Sequence, residues 1–361
     1  MNRGNGTHGI THQFIHRPTG QVCTEAFVGD RTIMALYSTA RERAPWLYRA
    51  AISKRMSAAL GFFMYDRPVA GGAAGIRRLA ANLGIDLSEC LDPPQRFRSA
   101  RDLFERKIRY WDTRPMPGDR GAVVSPADAR VLAGSLRESS HLYLKESLFA
   151  FDELLGRDKP QWLEAFSGGD YAVFRLTPDK YHYNHAPVAG TVEDIYELDG
   201  CYHSCNPGAL IGEATPASKN RRVVTVIDTD VYGGTGVGLV AMIEVVAMMI
   251  GKVSQCYSDE RYDSPREVRP GMLMKKGAPK SLYRPGSSTD VLLFQKDRVR
   301  FSDDIATNAR RQDVRTRFSI LFGRPVVETE VRVREEIALR LSPLAAVEER
   351  KGERNWKQPC S

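Results

Sequence analysis

The stretch Gly286-Ser287-Ser288-Thr289-Asp290-Val291-Leu292-Leu293-Phe294 places a turn of small residues directly before an uninterrupted apolar run. Similar runs recur from Gly121 onward between Gly, Pro, Asn and Asp residues, among them Tyr171-Ala172-Val173-Phe174 and Arg222-Val223-Val224-Thr225-Val226-Ile227. Short, bounded runs rich in Val, Ile, Tyr and Phe are typical of β-strands. The sequence therefore predicts a β-rich domain over residues 116–330, with mainly antiparallel strands.

The residues before this domain have a different composition. Residues 1–30 show no hydrophobic period, and we predict a flexible N-terminal tail there. Residues 31–115 are predicted to be helical, because Pro45 suits the first turn of an apolar helix and Ser99 with Asp102 has the spacing of a capping box. The fold class is therefore α+β. The helix from Pro45 either packs on its own domain or rests on a membrane surface.

The C-terminal segment, residues 331–361, is predicted to contain a charged helix from Arg334 to Leu341 and then a polar tail. The longest apolar run, from Val237 to Val253, is interrupted by Glu244. A helix that spans a membrane needs roughly 20 apolar residues. We therefore predict buried strands in this run and no transmembrane span.

Charge and cysteine content narrow the possible partners and compartment. The chain of 361 residues carries a formal net charge of +8, which suits either an anionic membrane surface or nucleic acid. The basic residues form no recognisable nucleic-acid module, so we expect no nucleic-acid partner. Six scattered cysteines and an N-terminus without a signal pattern favour the cytoplasm, with peripheral membrane contact as an option.

The turn Gly286-Ser287-Ser288-Thr289 is a candidate site for chemistry on the chain itself. In a tight turn beside a small residue, a serine hydroxyl can reach the preceding carbonyl and start an N-to-O acyl shift. Taken alone, the tetrapeptide is equally an ordinary surface turn.

Two further features are candidate proton-transfer groups. His182 and His185 lie three residues apart, and a histidine can act as acid or base near neutral pH. Asp128 follows an apolar strand and could orient a histidine, as the third member of a Ser-His-Asp arrangement does. The histidine pair lacks further metal ligands at a recognisable spacing, so we expect no metal.

Other clusters are weaker candidates. Period-two spacing in a strand explains the grouping of Cys201, His203 and Cys205. The N-terminal histidines occupy the predicted tail, and the glycine-rich run from Gly233 to Gly238 lacks the residues of a phosphate loop and is predicted to be a flexible hairpin. The three histidines are His8, His12 and His16.

In combination and in order, these motifs resemble the phosphatidylserine decarboxylase family. The resemblance runs from about Ser99 to Val327. Its carriers are Ser125-Pro126-Ala127-Asp128, Tyr181-His182, His185-Ala186-Pro187-Val188-Ala189-Gly190, Asn206-Pro207, Val240-Ala241-Met242-Ile243-Glu244-Val245, Lys276-Gly277 and the processing motif with its strand.

The resemblance implies a proenzyme that cuts itself. The processing serine attacks the preceding carbonyl, the resulting ester is broken by β-elimination, and hydrolysis leaves a pyruvoyl group as the cofactor. By analogy with the family, Asp128 is the orienting acid, His185 is the base, and His182 handles substrate or returns a proton. Counting back from Phe294 selects Ser288 as the serine, which gives fragments 1–287 and 288–361. Counting from Gly286 selects Ser287 and a cut between Gly286 and Ser287.

Departures from the family pattern leave the substrate open. The resemblance implies conversion of phosphatidylserine to phosphatidylethanolamine with release of CO₂, and the alternative is decarboxylation of a free aromatic amino acid such as tryptophan. A non-catalytic lipid-binding relative is the alternative from another class. We expect a homo-oligomer, preferably a dimer. The departures are Ala129, Glu146, Lys180, Tyr183, Val246 and Ser287.

Overall fold

The computed structural model describes residues 11–27, 30–137, 149–207, 209, 216–248, 252–285 and 288–341. Strands supply most of its regular structure. They are β1 (Gln13–His16), β2 (Gln21–Thr24), β3 (Ala122–Val124), β4 (Ala129–Ser135), β5 (Asp170–Leu176), β6 (Tyr183–His185), β7 (Gly190–Leu198), β8 (Arg222–Asp228), β9 (Leu239–Val246), β10 (Val253–Gln255), β11 (Leu273–Met274), β12 (Pro279–Tyr283), β13 (Ser288–Phe294), β14 (Val299–Phe301), β15 (Glu328–Val331) and β16 (Glu336–Arg340).

These strands form one large sheet and two small ones. The ten-stranded sheet has the order β11-β7-β8-β9-β13-β5-β4-β15-β1-β2, and the small sheets have the orders β10-β12-β6 and β14-β16-β3. Neighbours in the large sheet run antiparallel, except that β1 and β15 are parallel. The prediction of an α+β fold with mainly antiparallel strands is confirmed.

The strand β13 lies inside the large sheet, between β5 and β9. Because side chains alternate across a strand, Leu292 and Phe294 join the core on one face, and Val291 and Leu293 join the core on the other. The two small sheets contribute to the first core, and helices such as Phe151–Leu155 and Arg317–Phe322 contribute to the second. Burial on both faces explains why the run is continuously apolar.

The helices are short and concentrate in the N-terminal third. In chain order they are Asp30–Ala35, Arg41–Arg43, Pro45–Ala51, Lys54–Gly61, Gly72–Leu83, Ala100–Phe104, Tyr110–Thr113, Phe151–Leu155, Pro160–Phe166, Pro216–Lys219, Asp303–Asn308 and Arg317–Phe322, with π-helical turns at Leu36–Ala40 and Phe62–Asp66 and 3₁₀ turns at Leu87–Glu89 and Pro94–Arg96.

Local signals predicted some of these helix boundaries and missed others. The capping box is present: the Ser99 hydroxyl accepts from Asp102 N, and the Asp102 carboxylate accepts from Ser99 N. The helix that begins at Pro45 is shorter than its apolar stripe suggests. It ends at Ala51, and Ser53 caps a separate helix by accepting from Met56 N.

The predicted flexible tail is wrong for part of residues 1–30. Gln13–His16 and Gln21–Thr24 form a hairpin on the large sheet, with Phe14 opposite Glu328 on β15. Residues 1–10, with His8, lie outside the described part. The hairpin is ordered by pairing with a strand more than 300 residues away, a contact that no local pattern reports.

A buried ionic cluster fixes this hairpin. His12 Nε2 donates to Glu328 Oε2 at 2.8 Å, and Arg175 binds both Glu328 and Glu25. Within the described residues, His12, Glu25 and Glu328 are the one group whose ligand atoms lie close enough together to hold a metal ion. The Arg175 guanidinium already supplies positive charge to this group, and Arg130 adds a second cation against Glu25.

The C-terminal helix predicted from Arg334 to Leu341 is also wrong. Glu336–Arg340 forms β16, which pairs with β14 and β3. Because β16 forms backbone hydrogen bonds with β14 on one side and β3 on the other, strand pairing decides the conformation of this charged segment. Residues 342–361 lie outside the described part.

The remaining sequence predictions have mixed outcomes. Val237 to Val253 contains the buried strand β9, as predicted, and the run from Gly233 to Gly238 joins β8 to β9. The strand predicted for Cys201, His203 and Cys205 is wrong in the described chain, because Cys201 forms only an isolated bridge with Asn220. Among the described residues, every helix is too short or too polar to cross a bilayer.

Candidate active site

Ser288 is the first residue of β13 and is completely buried. It lies opposite Leu176 on β5 and Val246 on β9. Its hydroxyl oxygen has no hydrogen-bond partner among the described residues, while Cys205 Sγ donates to its backbone carbonyl at 3.7 Å. Gly286 and Ser287, which complete the predicted turn, lie outside the described part. An unpartnered buried hydroxyl costs free energy.

His182 lies between β5 and β6 and is stacked on Phe104, with ring centroids 3.5 Å apart. Neither ring nitrogen has a hydrogen-bond partner among the described residues. Burial lowers the pKa of His182 to about 3, and the Arg106 guanidinium acts in the same direction. The imidazole is therefore neutral at physiological pH and has a free lone pair.

His185 is the last residue of β6 and is held at both ring nitrogens. Nδ1 lies 2.9 Å from the Gly277 carbonyl oxygen, and Nε2 lies 2.9 Å from the Tyr181 hydroxyl. A carbonyl oxygen only accepts, so Nδ1 carries the proton and Nε2 is the basic nitrogen. Burial is the main cause that lowers the pKa of His185 to about 3.

Asp128 lies between β3 and β4, and its carboxylate is bound by other groups than a histidine. Arg114 Nε donates to Oδ1 at 3.1 Å and Nη2 donates to Oδ2 at 2.8 Å, while Val333 N donates to Oδ1 at 2.8 Å. Burial alone would raise the pKa of Asp128. The Arg114 guanidinium outweighs burial, so the pKa of Asp128 is lowered. In the described chain no hydrogen bond joins Asp128 to His185.

The pairing of β4, β5 and β13 places the starts of β4 and β13 at the same end of the large sheet, so Asp128 and Ser288 lie at that end. His185 N donates to the Pro126 carbonyl at 2.8 Å, which places the Asp128 segment beside β6. β6 pairs with β12, and Tyr283 at the end of β12 donates to the His182 carbonyl at 3.1 Å. The negative charge of Asp128 also acts to raise the pKa of both imidazoles, against the larger lowering effect of burial. The described residues thus include two neutral imidazoles and a buried serine hydroxyl.

A buried acid pair lies on the same face as Ser288, two residues further along β13. Asp290 is opposite Glu244 on β9, and Lys280 Nζ donates to Glu244 Oε2 at 2.7 Å. Burial and the Glu244 carboxylate raise the pKa of Asp290 well above its usual value. For Glu244 burial acts in the same direction, but the Lys280 ammonium outweighs it and lowers the pKa. Lys280 therefore favours the charged form of Glu244, while burial favours the neutral form of Asp290.

Sequence reasoning missed the residues that surround the histidines. Tyr262 lies 2.7 Å from the Tyr181 hydroxyl, yet the two are 81 positions apart. Phe104 covers His182 and Arg114 neutralises Asp128, and both come from the helical region. Among these neighbours, Tyr181 alone could have been predicted from the sequence, because it is adjacent to His182. Partners from other elements are distant in sequence and leave no pattern near the histidines.

Comparison with known proteins tests the resemblance. The profile of the phosphatidylserine decarboxylase family matches residues 100–323. A phosphatidylserine decarboxylase proenzyme of Ruminiclostridium cellulolyticum is 29% identical over 294 residues, covering 81% of this chain and 90% of that protein. The proenzyme of Clostridium botulinum is 26% identical and covers 87% and 98%, and that of Bordetella petrii is 32% identical and covers 63% and 80%. The chain therefore belongs to the phosphatidylserine decarboxylase family.

Proposed function

We propose that this chain cuts itself between Ser287 and Ser288 and then decarboxylates phosphatidylserine to phosphatidylethanolamine, releasing CO₂. Membership of the family makes the chain a carboxy-lyase. The observation that carries the proposal for this site is the Ser288 hydroxyl, which is fully buried, unpartnered among the described residues and followed by a central strand. The products are fragments 1–287 and 288–361, which stay associated because β13 pairs on both sides with strands of the larger fragment.

The residues around Ser288 fit the formation of a pyruvoyl group there. Attack by Oγ on the preceding carbonyl requires a neutral base, and His185 is neutral. Its Nε2 accepts from the Tyr181 hydroxyl, so the serine proton reaches Nε2 only through Tyr181 or after Tyr181 moves aside. Asp128 is paired with Arg114, which also binds Glu89, and the hydrogen bond from His185 N to the Pro126 carbonyl fixes the Ser125–Asp128 segment against β6. When formed, the pyruvoyl carbonyl supplies an electron sink for loss of CO₂ from an amine substrate.

In the decarboxylation, we propose that His182 handles the substrate and relays a proton to it, which the neutral imidazole must first take up. Both of its nitrogens are free of partners in the described structure, so it can meet a substrate without breaking an internal bond. Phe104 holds the ring by stacking, which leaves the ring edges open for hydrogen bonds. Residues 1–287 contribute this histidine and residues 288–361 contribute the cofactor.

An exposed apolar surface segment, residues 45–66, supports a lipid substrate. Trp46 is 73% exposed, Phe63 is 63% exposed and Met64 is 58% exposed, and basic residues accompany them in the same segment. Exposed large apolar side chains together with cations favour the interface of an anionic membrane. We propose that the protein is cytoplasmic and binds the membrane peripherally through this segment. The basic residues are Arg49, Lys54 and Arg55.

Intact mass spectrometry of the purified protein tests self-cleavage. We expect fragments 1–287 and 288–361, the second beginning with a carbonyl-reactive pyruvoyl group. Ser288→Ala should remain a single chain, while Ser287→Ala should still be cut. A wild-type chain that stays whole would favour a non-catalytic lipid-binding relative, and a cut before Ser287 would reassign the serine. Light scattering of the same sample tests the proposed homodimer.

Release of CO₂ tests the substrate. We expect it from vesicles that contain phosphatidylserine and none from free tryptophan. If processed enzyme releases CO₂ from free tryptophan alone, the phospholipid assignment is wrong, although the processing chemistry stands.

A further inference from the structure

A cleft of about 310 Å³ lies beside the processing turn and is separate from the buried histidines. Its walls come from the N-terminal helices and from the chain that leads to the cut. Pro285, three residues before Ser288, forms one border. The lining residues include Ala58, Gly61, Arg101, Lys252, Arg284 and Pro285.

The cleft holds an excess of positive charge. Arg101 binds Asp66 and Glu105, and Arg284 Nη1 binds Glu105 Oε2 at 2.5 Å. Lys252 forms no ion pair within the described chain, although Arg284 N donates to its carbonyl at 3.1 Å. Three cations therefore face two carboxylates, and the Lys252 ammonium is available to an anion.

The position of the cleft matches the order of groups in a phospholipid. Its wall at Ala58 and Gly61 belongs to the helix Lys54–Gly61, within the apolar surface segment. Arg101, which also lines the cleft, belongs to the helix whose Phe104 covers His182. The cationic groups thus lie between an apolar surface and the reaction site, as a phosphodiester lies between acyl chains and serine.

We propose that this cleft binds the phosphodiester of the substrate and that Lys252 is its principal contact, with Arg101 and Arg284 completing the site. The inference rests on the proposed function and adds the substrate class that the site selects. A free amino acid has no group to place there, so the cleft favours a phospholipid.

Kinetics with dihexanoyl phosphatidylserine, dispersed as monomers, test the site without a membrane surface. Lys252→Met keeps most of the side-chain length and removes the charge, and we expect KM to rise about 10-fold with kcat nearly unchanged, because a charge-assisted contact is lost. Lys252→Arg should restore most of the affinity. Lys296→Met is the matched control, since Lys296 is exposed beyond the far end of β13, and its KM should stay at the wild-type value.

The outcomes separate the two proposals. Processed wild-type enzyme that decarboxylates the short lipid while Lys252→Met retains its KM would disprove the phosphodiester site and leave the function intact. Wild-type enzyme active on a free amino acid alone would remove both. Glycerophosphoserine should compete in the wild type and weakly in Lys252→Met. If inorganic phosphate competes equally well, the cleft takes free phosphate and the headgroup assignment is wrong.

Discussion

The Tyr181 hydroxyl lies 2.9 Å from His185 Nε2, on the side of the ring opposite the Gly277 carbonyl. With Nδ1 committed to donating, Tyr181 is the group that can donate to Nε2. The Tyr262 hydroxyl donates to the Ile108 carbonyl at 2.9 Å, and its oxygen lies 2.7 Å from the Tyr181 hydroxyl. The proposed base is thus held in one tautomer and one orientation by a tyrosine and a backbone carbonyl. A carboxylate performs this task in a Ser-His-Asp arrangement.

Tyr181→Phe keeps the ring packing and removes the donor. We expect self-cleavage to continue about 5-fold more slowly, because the imidazole loses one of two anchors and a hydrogen bond is worth about 1 kcal/mol. A time course of fragment appearance on a denaturing gel measures the rate. Tyr183→Phe, on a neighbouring ring of the same aromatic cluster, is the matched control. Cleavage faster than in the wild type would show that Tyr181 restrains the base.

The two buried histidines should make the fold sensitive to acid. Both have a pKa of about 3 in the folded chain, against about 6.5 in an unfolded one. Between pH 6.5 and 3 the two histidines therefore bind protons in the unfolded chain but not in the folded chain. The free energy of unfolding falls as the pH falls through this range.

Urea unfolding of the uncut Ser288→Ala protein checks this dependence. Each histidine should contribute up to about 1.4 kcal/mol per pH unit to the slope, and His182→Gln should reduce the slope by that amount. His16→Gln removes a half-buried histidine of the hairpin and is the matched comparison. An unchanged slope in His182→Gln would contradict a neutral buried imidazole.

Asp290 should have the opposite dependence on pH. Its folded pKa is raised, so the unfolded chain releases a proton that the folded chain keeps, and stability falls as pH rises above about 4. Asp290→Asn mimics the protonated acid and can still accept from the Tyr283 hydroxyl, which lies 2.7 Å from Oδ1. We expect the variant to gain stability over its parent at pH 8 and to lose this advantage near pH 4, measured by thermal unfolding in the Ser288→Ala background. If the variant and its parent had equal melting temperatures at pH 8 and again at pH 4, the raised pKa of Asp290 would be refuted.

The N-terminal hairpin should depend on Arg175. Arg175→Met leaves Glu25 and Glu328 buried with less compensating charge, and breaking such a buried pair costs about 3–5 kcal/mol. Denaturant unfolding measures the loss, and limited proteolysis should detect cuts within residues 11–27. Arg17→Met breaks the partly exposed pair with Asp304 and should cost less than about 1 kcal/mol. Equal losses in the two variants would refute a central role for the buried cluster.

Local patterns predicted the central features of this chain. The alternation of turn residues and apolar runs marked the strands, and it placed Ser288 immediately before a run that is buried on both faces. The Ser99–Asp102 capping box was equally legible, because both partners lie within one turn. Motif order then indicated the family, which the comparisons confirm.

The tertiary structure alone decided the conformation of segments whose partners are distant in sequence. Gln13–His16 and Glu336–Arg340 carry charged or polar residues without a strong period, and they become strands because sheet edges are available to them. The environment of the proposed catalytic groups has the same origin. Arg114 reaches Asp128 and Tyr262 reaches Tyr181 from other elements, and burial then shifts each pKa. Sequence determines which chemical groups are present, whereas hydrogen bonding and desolvation depend on contacts that only the folded chain creates.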